Sequence, residues 1–213
     1  MEKFQEILEF RYACKRFSDK EVTREDMDMI LNAGIMAPSS CGIEQFRFVA
    51  MESKEAMTNI VDICMKQGTA RTANKAIVVL AGKKSTVGPG TEVYNWHAEE
   101  RAKILNQILP EEKQVTPEFV ASRFDMFCDI EETKFIAWSK ANSYLAAMNI
   151  MNQAASLGID SCPIEGFVQA KFDEHYPQYK DEYEVALVIT LGYRNEEPQD
   201  RIRLDFDQMV TRV

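Results

Sequence analysis

The stretch that most constrains this chain is residues 137–157, where Ala137, Tyr144, Leu145, Met148, Met151 and Ala155 recur at helical spacing beside Ala146, Ala147 and Ala154. Alanine, leucine and methionine are strong helix formers, and neither Gly nor Pro interrupts the run. A helix apolar over most of its circumference lacks a solvent face, so it belongs in a core or at a subunit interface. Gly158 follows it and fits the left-handed position that closes a helix. The remaining chain must supply layers that cover this element.

Two short β-branched runs are candidates for one such layer. Residues 76–81 (Ala-Ile-Val-Val-Leu-Ala) and 185–193 (Val-Ala-Leu-Val-Ile-Thr-Leu-Gly-Tyr) are continuously apolar, as buried strands are. Residues 46–50 alternate like a further strand. Helices are expected at 2–11, from the stripe Phe4, Ile7, Leu8 and Phe10, and from Ser53 to about Lys66. Thr23 and Asp26 form a capping-box pair ahead of Met27, Ile30, Leu31 and Ile35. Residues 82–90 read as a loop, and 91–136 as polar helix broken near Pro110 and Pro117. Helices interspersed with few strands indicate an α+β fold.

Charge and composition exclude several function classes. The chain has 213 residues and a formal net charge of −9, which leaves little material for a broad nucleic-acid surface. No run reaches the roughly 20 apolar residues needed to span a bilayer. The charged start, Met1 to Glu6, lacks the apolar core of a secretion signal, so the expected location is the cytoplasm. Five cysteines (Cys14, Cys41, Cys64, Cys128 and Cys162) show no Cys-x-x-Cys pair, which points to reduced packing thiols. With only His97 and His175 to help, no metal site is expected.

Four segments carry candidate chemistry. The first is Arg11-Tyr12-Ala13-Cys14-Lys15-Arg16-Phe17, three cations at a helix end: a solvated patch or an anion site. Arg201 and Arg203, two apart in a strand-like tail, share a face and either converge on an anion or decorate the surface. The turn 38–46 (Pro-Ser-Ser-Cys-Gly-Ile-Glu-Gln-Phe) joins a helix to a strand and has no evident core function. Pro163-Ile164-Glu165-Gly166-Phe167 reads as a stiff turn, either structural or presenting backbone N–H donors.

Together, in this order and at these separations, the segments resemble the nitroreductase family of flavoenzymes over nearly the whole chain. The resemblance implies a single domain, 1–213, with a variable helical insert near 91–136. Its fold is a central mixed β-sheet surrounded by helices, and its C-terminal extension wraps the partner of a homodimer. It implies FMN as cofactor, with Arg11, Arg201 and Arg203 on the phosphate, Tyr12 and Ala13 along the ribityl chain, and Lys15 near flavin N1 and the C2 carbonyl. Pro163, Ile164, Glu165 and Gly166 would lie beside the ring, with a backbone N–H reaching N5. Ser39, Ser40, Gly42 and Glu44 would approach the flavin from the partner subunit. Lys66 or Gln67 matches a polar ring contact, and Phe124 and Phe127 in the insert either cover the flavin on the substrate side or belong to the core.

The chain departs from the family pattern at Ala13, where Ser is common, at Gly42 for Asn, and at Gln45-Phe46 for Pro-Trp. Thr69 falls near a position where some relatives have a second lysine. The implied reaction is a ping-pong transfer from NAD(P)H through FMN to a small planar acceptor such as a nitroaromatic or quinone, with no side chain as covalent catalyst. Reductive dehalogenation, enoate reduction and a non-catalytic flavin sensor or carrier are the alternatives.

Overall fold

The computed structural model describes residues 2–213. The two β-branched runs become the sheet's centre because both of their faces are covered. Strand β1 is Phe46–Met51, β2 Lys75–Gly82, β3 Asp160–Ile164 and β4 Tyr183–Gly192, in the order β1-β2-β4-β3. Along β2, Ala76, Val78 and Leu80 face one side with Val185 and Val188, while Ile77, Val79 and Ala81 face the other with Leu187, Ile189 and Leu191. Period-two alternation thus hides inside a uniformly apolar sequence. Val79 pairs with Leu187 and Leu80 with Val185, leaving Ala186 as the extra residue of a bulge.

All neighbouring strands pair antiparallel; parallel pairing among the described residues is confined to an isolated bridge between Ala13 and Ser161. Strand β3 replaces the stiff turn expected around Pro163. Proline is tolerated there because β3 lies at the sheet edge.

Helices α1 (Glu2–Phe10), α2 (Arg24–Ile35), α3 (Lys54–Ile63), α4 (Gly68–Thr72), α5 (Lys84–Val87), α6 (Glu92–Asn106), α7 (Pro117–Cys128), α8 (Glu132–Ser156), α9 (Gln169–His175) and α10 (Phe206–Met209) complete the molecule. Thr23 caps α2, its hydroxyl accepting from the Asp26 amide at 3.1 Å. Helix α8 closes as expected: Gly158 has φ +70°, its N–H reaches the Ala155 carbonyl at 3.0 Å, and the Ile159 N–H reaches Ala154 at 2.9 Å. Ala147, Ile150, Met151 and Ala154 of α8 pack with Met27 and Ile30 of α2 on one sheet face. On the other face lie Ile60 and Ile63 of α3 and Phe172 of α9.

The region expected as an insert builds its own core, with Tyr94, Ala98, Val120, Phe124 and Cys128 packed around Ile43, Val87 and Phe135. Pro117 starts α7 rather than breaking a helix, behind a Thr116 cap. Among the described residues no helix is long and apolar enough to cross a membrane, and no group of metal-ligating side chains assembles.

Candidate functional site

The arm that leaves α1 is tied down at several points. The Cys14 N–H donates to the Ser161 carbonyl at 3.2 Å, docking the arm on the edge of β3. The Glu196 carboxylate accepts from the Lys15 backbone N–H at 2.7 Å and from the Tyr12 hydroxyl at 3.3 Å. The Lys15 ammonium donates to the Cys162 sulfur at 3.3 Å. Beneath the arm, Arg194 stacks its guanidinium over Phe10 (4.2 Å) and Tyr12 (4.8 Å) and pairs with buried Asp160 at 2.6 Å. Burial pushes the Cys14 thiol up to about 11, consistent with a packing role.

Three arginines from distant segments meet at this arm. Arg201 donates from Nη2 to the carbonyls of Leu8 (2.6 Å), Glu9 (2.7 Å) and Arg11, covering orphan carbonyls at the C-terminus of α1. Burial, then the charges of Arg201 and Arg203, hold the Arg11 guanidinium below its ordinary pKa. Among the described residues the Arg203 side chain hydrogen-bonds to the Ile202 carbonyl alone, at 2.7 Å. Among the described residues none of the three forms an ion pair with a carboxylate. Converging cations with no carboxylate ion pair among the described residues, in a chain of net charge −9, suit an external anion such as a phosphate.

The strip after β3 lies next to Cys162 in sequence. Its Phe167 N–H returns to the Glu165 carbonyl at 3.0 Å, making a tight turn over Gly166. Gln67 Nε2 donates to the Gly166 carbonyl at 2.7 Å, and a Cβ on Gly166 would stand 2.7 Å from that nitrogen. The Gly166 N–H has no protein acceptor among the described residues, leaving a fixed donor. Tyr144 of α8 donates to Glu165, and burial with that carboxylate pushes its hydroxyl up to about 12. The polar group brought to the strip is therefore Gln67. Lys66 is exposed at φ +57°, just after Met65 at φ +53°.

The turn 38–46 stands apart from the arm and the strip, with no hydrogen bond or ion pair to either among the described residues. Three of its residues have left-handed backbones, Cys41 (+58°), Gly42 (+66°) and Glu44 (+54°), uncommon for non-glycine residues. Ser39 Oγ accepts from the Glu44 N–H at 2.9 Å, and the Ser40 N–H donates to Asn142 Oδ1 of α8 at 2.7 Å. The expectation that this turn lacks a core function is corrected: Ile43 and Gln45 are fully buried, and the Gln45 carbonyl accepts from the Gly82 N–H at 2.7 Å. A cleft of about 770 Å³ opens between the turn and α6, lined by Glu44, Arg47, Trp96 and His97. Burial, reinforced by Arg47 and Arg101 and opposed by Glu44, keeps the His97 pKa below its usual value.

Phe124 and Phe127 separate. Phe124 is buried edge-on against Tyr94, centroids 5.8 Å apart, so it is a core residue of the insert and not an open substrate contact. Phe127 is exposed. The supporting residues Asp160, Arg194, Glu196 and Asn142 escape the sequence reading because each acts across the fold on a partner far along the chain.

A sequence model described as the nitroreductase family matches residues 8–193. A Staphylococcus haemolyticus protein provisionally named an NAD(P)H nitroreductase is 30% identical, the match covering 94% of this chain and 93% of that one. A Bacillus subtilis protein with the same provisional name is 26% identical over 94% and 93% of the two chains. The fold superposes with TM-score 0.81 on a nitroreductase-like protein of Exiguobacterium sibiricum solved with FMN, at 19% identity and 99% and 97% coverage. An enone reductase of gut-bacterial fatty acid saturation shares the fold with TM-score 0.76 at 13% identity, covering 99% and 97%.

Proposed function

Because this chain belongs to the nitroreductase family, we propose that it is an FMN-dependent oxidoreductase that takes electrons from NAD(P)H and passes them to small planar acceptors, nitroaromatics and quinones among them, in a ping-pong cycle. The observation that carries this reading is the convergence of Arg11, Arg201 and Arg203, none of them ion-paired to a carboxylate among the described residues, on an arm that also holds Lys15 beside the strip. FMN held here by Arg11, Arg201 and Arg203 would supply the two-electron redox chemistry, which the protein's side chains lack.

The chain's own residues bind and tune. Arg11 and Arg203 hold the phosphate, and Arg201 adds charge while closing α1. Tyr12 and Ala13 line the ribityl chain. The Lys15 ammonium would lie near N1 and the C2 carbonyl, where positive charge would favour the reduced ring and raise its potential. Pro163, Ile164, Glu165 and Gly166 flank the ring, with the Gly166 N–H as a donor that needs no reorganisation. Ser39, Ser40, Gly42 and Glu44 serve the partner's site, a reading supported by the lack, among the described residues, of any hydrogen bond or ion pair between this turn and its own chain's arm. Phe127, on the exposed side of the insert, borders the acceptor space. The chain acts as one domain, 1–213, with 91–136 as insert, in a cytoplasmic homodimer.

The test begins with the visible spectrum of purified protein, followed by anaerobic addition of NADH and, separately, NADPH. The expected result is a flavin spectrum that either or both nucleotides bleach, restored by a quinone. A colourless protein that takes up no FMN contradicts the reading, and flavin that neither nucleotide reduces argues for a sensor or carrier.

A further inference from the structure

We infer that Cys162 is a positioning residue for Lys15: its sulfur holds the lysine ammonium at the edge of β3, beside the strip that ends in Gly166. This inference rests on the proposed placement of Lys15 next to the flavin ring and adds the group that sets that placement.

Lys15 is held at both ends. Its backbone N–H is fixed by Glu196 at 2.7 Å and its ammonium by Cys162 at 3.3 Å. Between them runs a flexible four-carbon stem that is otherwise exposed, so without the distal contact the ammonium samples solvent. The anchor itself is rigid. Cys162 is only 1% exposed, pairs with Thr190 across β3 and β4, and its carbonyl accepts from Thr190 Oγ1 at 3.3 Å. Ile164 and Cys64 belong to the same packed cluster.

The chemistry of the partner matters as much as its position. Lys15 has no carboxylate within ion-pair distance of its ammonium among the described residues. A carboxylate would hold it equally well and cancel most of its field. A thiol sulfur is a weak, polarisable acceptor that fixes direction while leaving the positive charge to act on a neighbour. A cation held this way stabilises the anionic reduced ring more than the neutral oxidised one. Cys162 therefore acts on the difference between two affinities, not on binding as such.

Cys162→Ala, Cys162→Ser, Lys15→Ala and the Cys162→Ala/Lys15→Ala pair separate these effects. Oxidised FMN affinity is measured by fluorescence quenching and the bound-flavin midpoint potential by spectroelectrochemistry; together they give the reduced FMN affinity. In Cys162→Ala the reduced affinity is expected to fall roughly three- to fivefold, the scale of a partly exposed charge interaction, while the oxidised Kd stays within about twofold. Cys162→Ser, which keeps an acceptor, returns toward wild type, and the double variant matches Lys15→Ala alone. Equal weakening of both affinities, an unchanged potential, or additivity in the double variant overturns the positioning role. If Lys15→Ala lowers the potential and Cys162→Ala does not, this inference alone falls. If Lys15→Ala leaves the potential unchanged, the placement of Lys15 falls with it, and wild-type protein that binds no FMN overturns both.

Discussion

Asp160 is an acid at the start of β3, and its carboxylate is almost wholly out of solvent. It persists there because Arg194 meets it with Nη2 at 2.6 Å and with Nε and the backbone N–H at 3.0 and 2.9 Å. Asp160→Ala leaves the half-buried guanidinium without its counter-charge, between two aromatic rings. The expected loss is roughly 2–4 kcal/mol, somewhat below a fully buried pair because Arg194 keeps some solvent contact. Denaturant unfolding checks it, and a loss under about 0.5 kcal/mol would mean that the pair is merely surface decoration. The sequence made the cationic residues legible, since Arg11, Lys15, Arg201 and Arg203 stand out in an acidic chain. It left their supports hidden. Asp160 meets Arg194 only because β3 and β4 are neighbours, and Glu196 reaches Lys15 from across the chain, so neither has a local pattern to read. Phe124 shows an open choice resolved: as an aromatic in a polar region it could cover the flavin or belong to the core, and a second aromatic, Tyr94, claims it for the core.

At the scale of elements, pattern sufficed wherever one face decided the outcome. Strands β1, β2 and β4, the Thr23 cap and the Gly158 close of α8 follow from local chemistry alone. β3 does not, because Pro163 reads as a turn until the strand's edge position is known. Helix α8 begins at Glu132, before the apolar run, since its first turn is polar. The helix also buries polar groups: Ser139 donates to the Gln45 carbonyl at 3.3 Å and Ser143 to the Ser139 carbonyl at 2.9 Å. Where α2 crosses α8, Gly34 sits so close that a Cβ would lie 2.9 Å from both Ile150 and Phe48. Gly34→Ala gains about 1 kcal/mol of helix propensity. Forcing these packed helices apart costs about 1–3 kcal/mol, so the net effect is expected to be destabilising. A thermal melt reads the sign directly, and a raised Tm would show that the helices separate easily.

For the whole molecule, the exposed face of α8 is the feature a monomer does not explain. Tyr144, Leu145 and Met148 are each more than a third exposed, next to Ala137 and Ala141, and the tail adds Leu204, Phe206 and Met209. An exposed apolar face of this kind fits the proposed twofold interface. The split between the turn 38–46 and the arm gives the same answer, because sharing the turn with a partner would complete each site. Light scattering is expected to give twice the 24.4 kDa chain mass; a stable species of one chain that holds FMN at full occupancy would contradict the shared site. The central claim is narrower still: Arg11 and Arg203, with the added charge of Arg201, bind the phosphate of FMN. Comparing FMN with riboflavin, which has the same ring and ribityl chain without the phosphate, tests it most directly. Wild-type protein is expected to prefer FMN by at least about 100-fold, as two or more charge-assisted contacts imply. In Arg203→Ala and Arg11→Ala that preference should shrink while riboflavin affinity holds. Equal affinity for the two flavins in wild-type protein, or an FMN preference untouched by either substitution, would contradict the account.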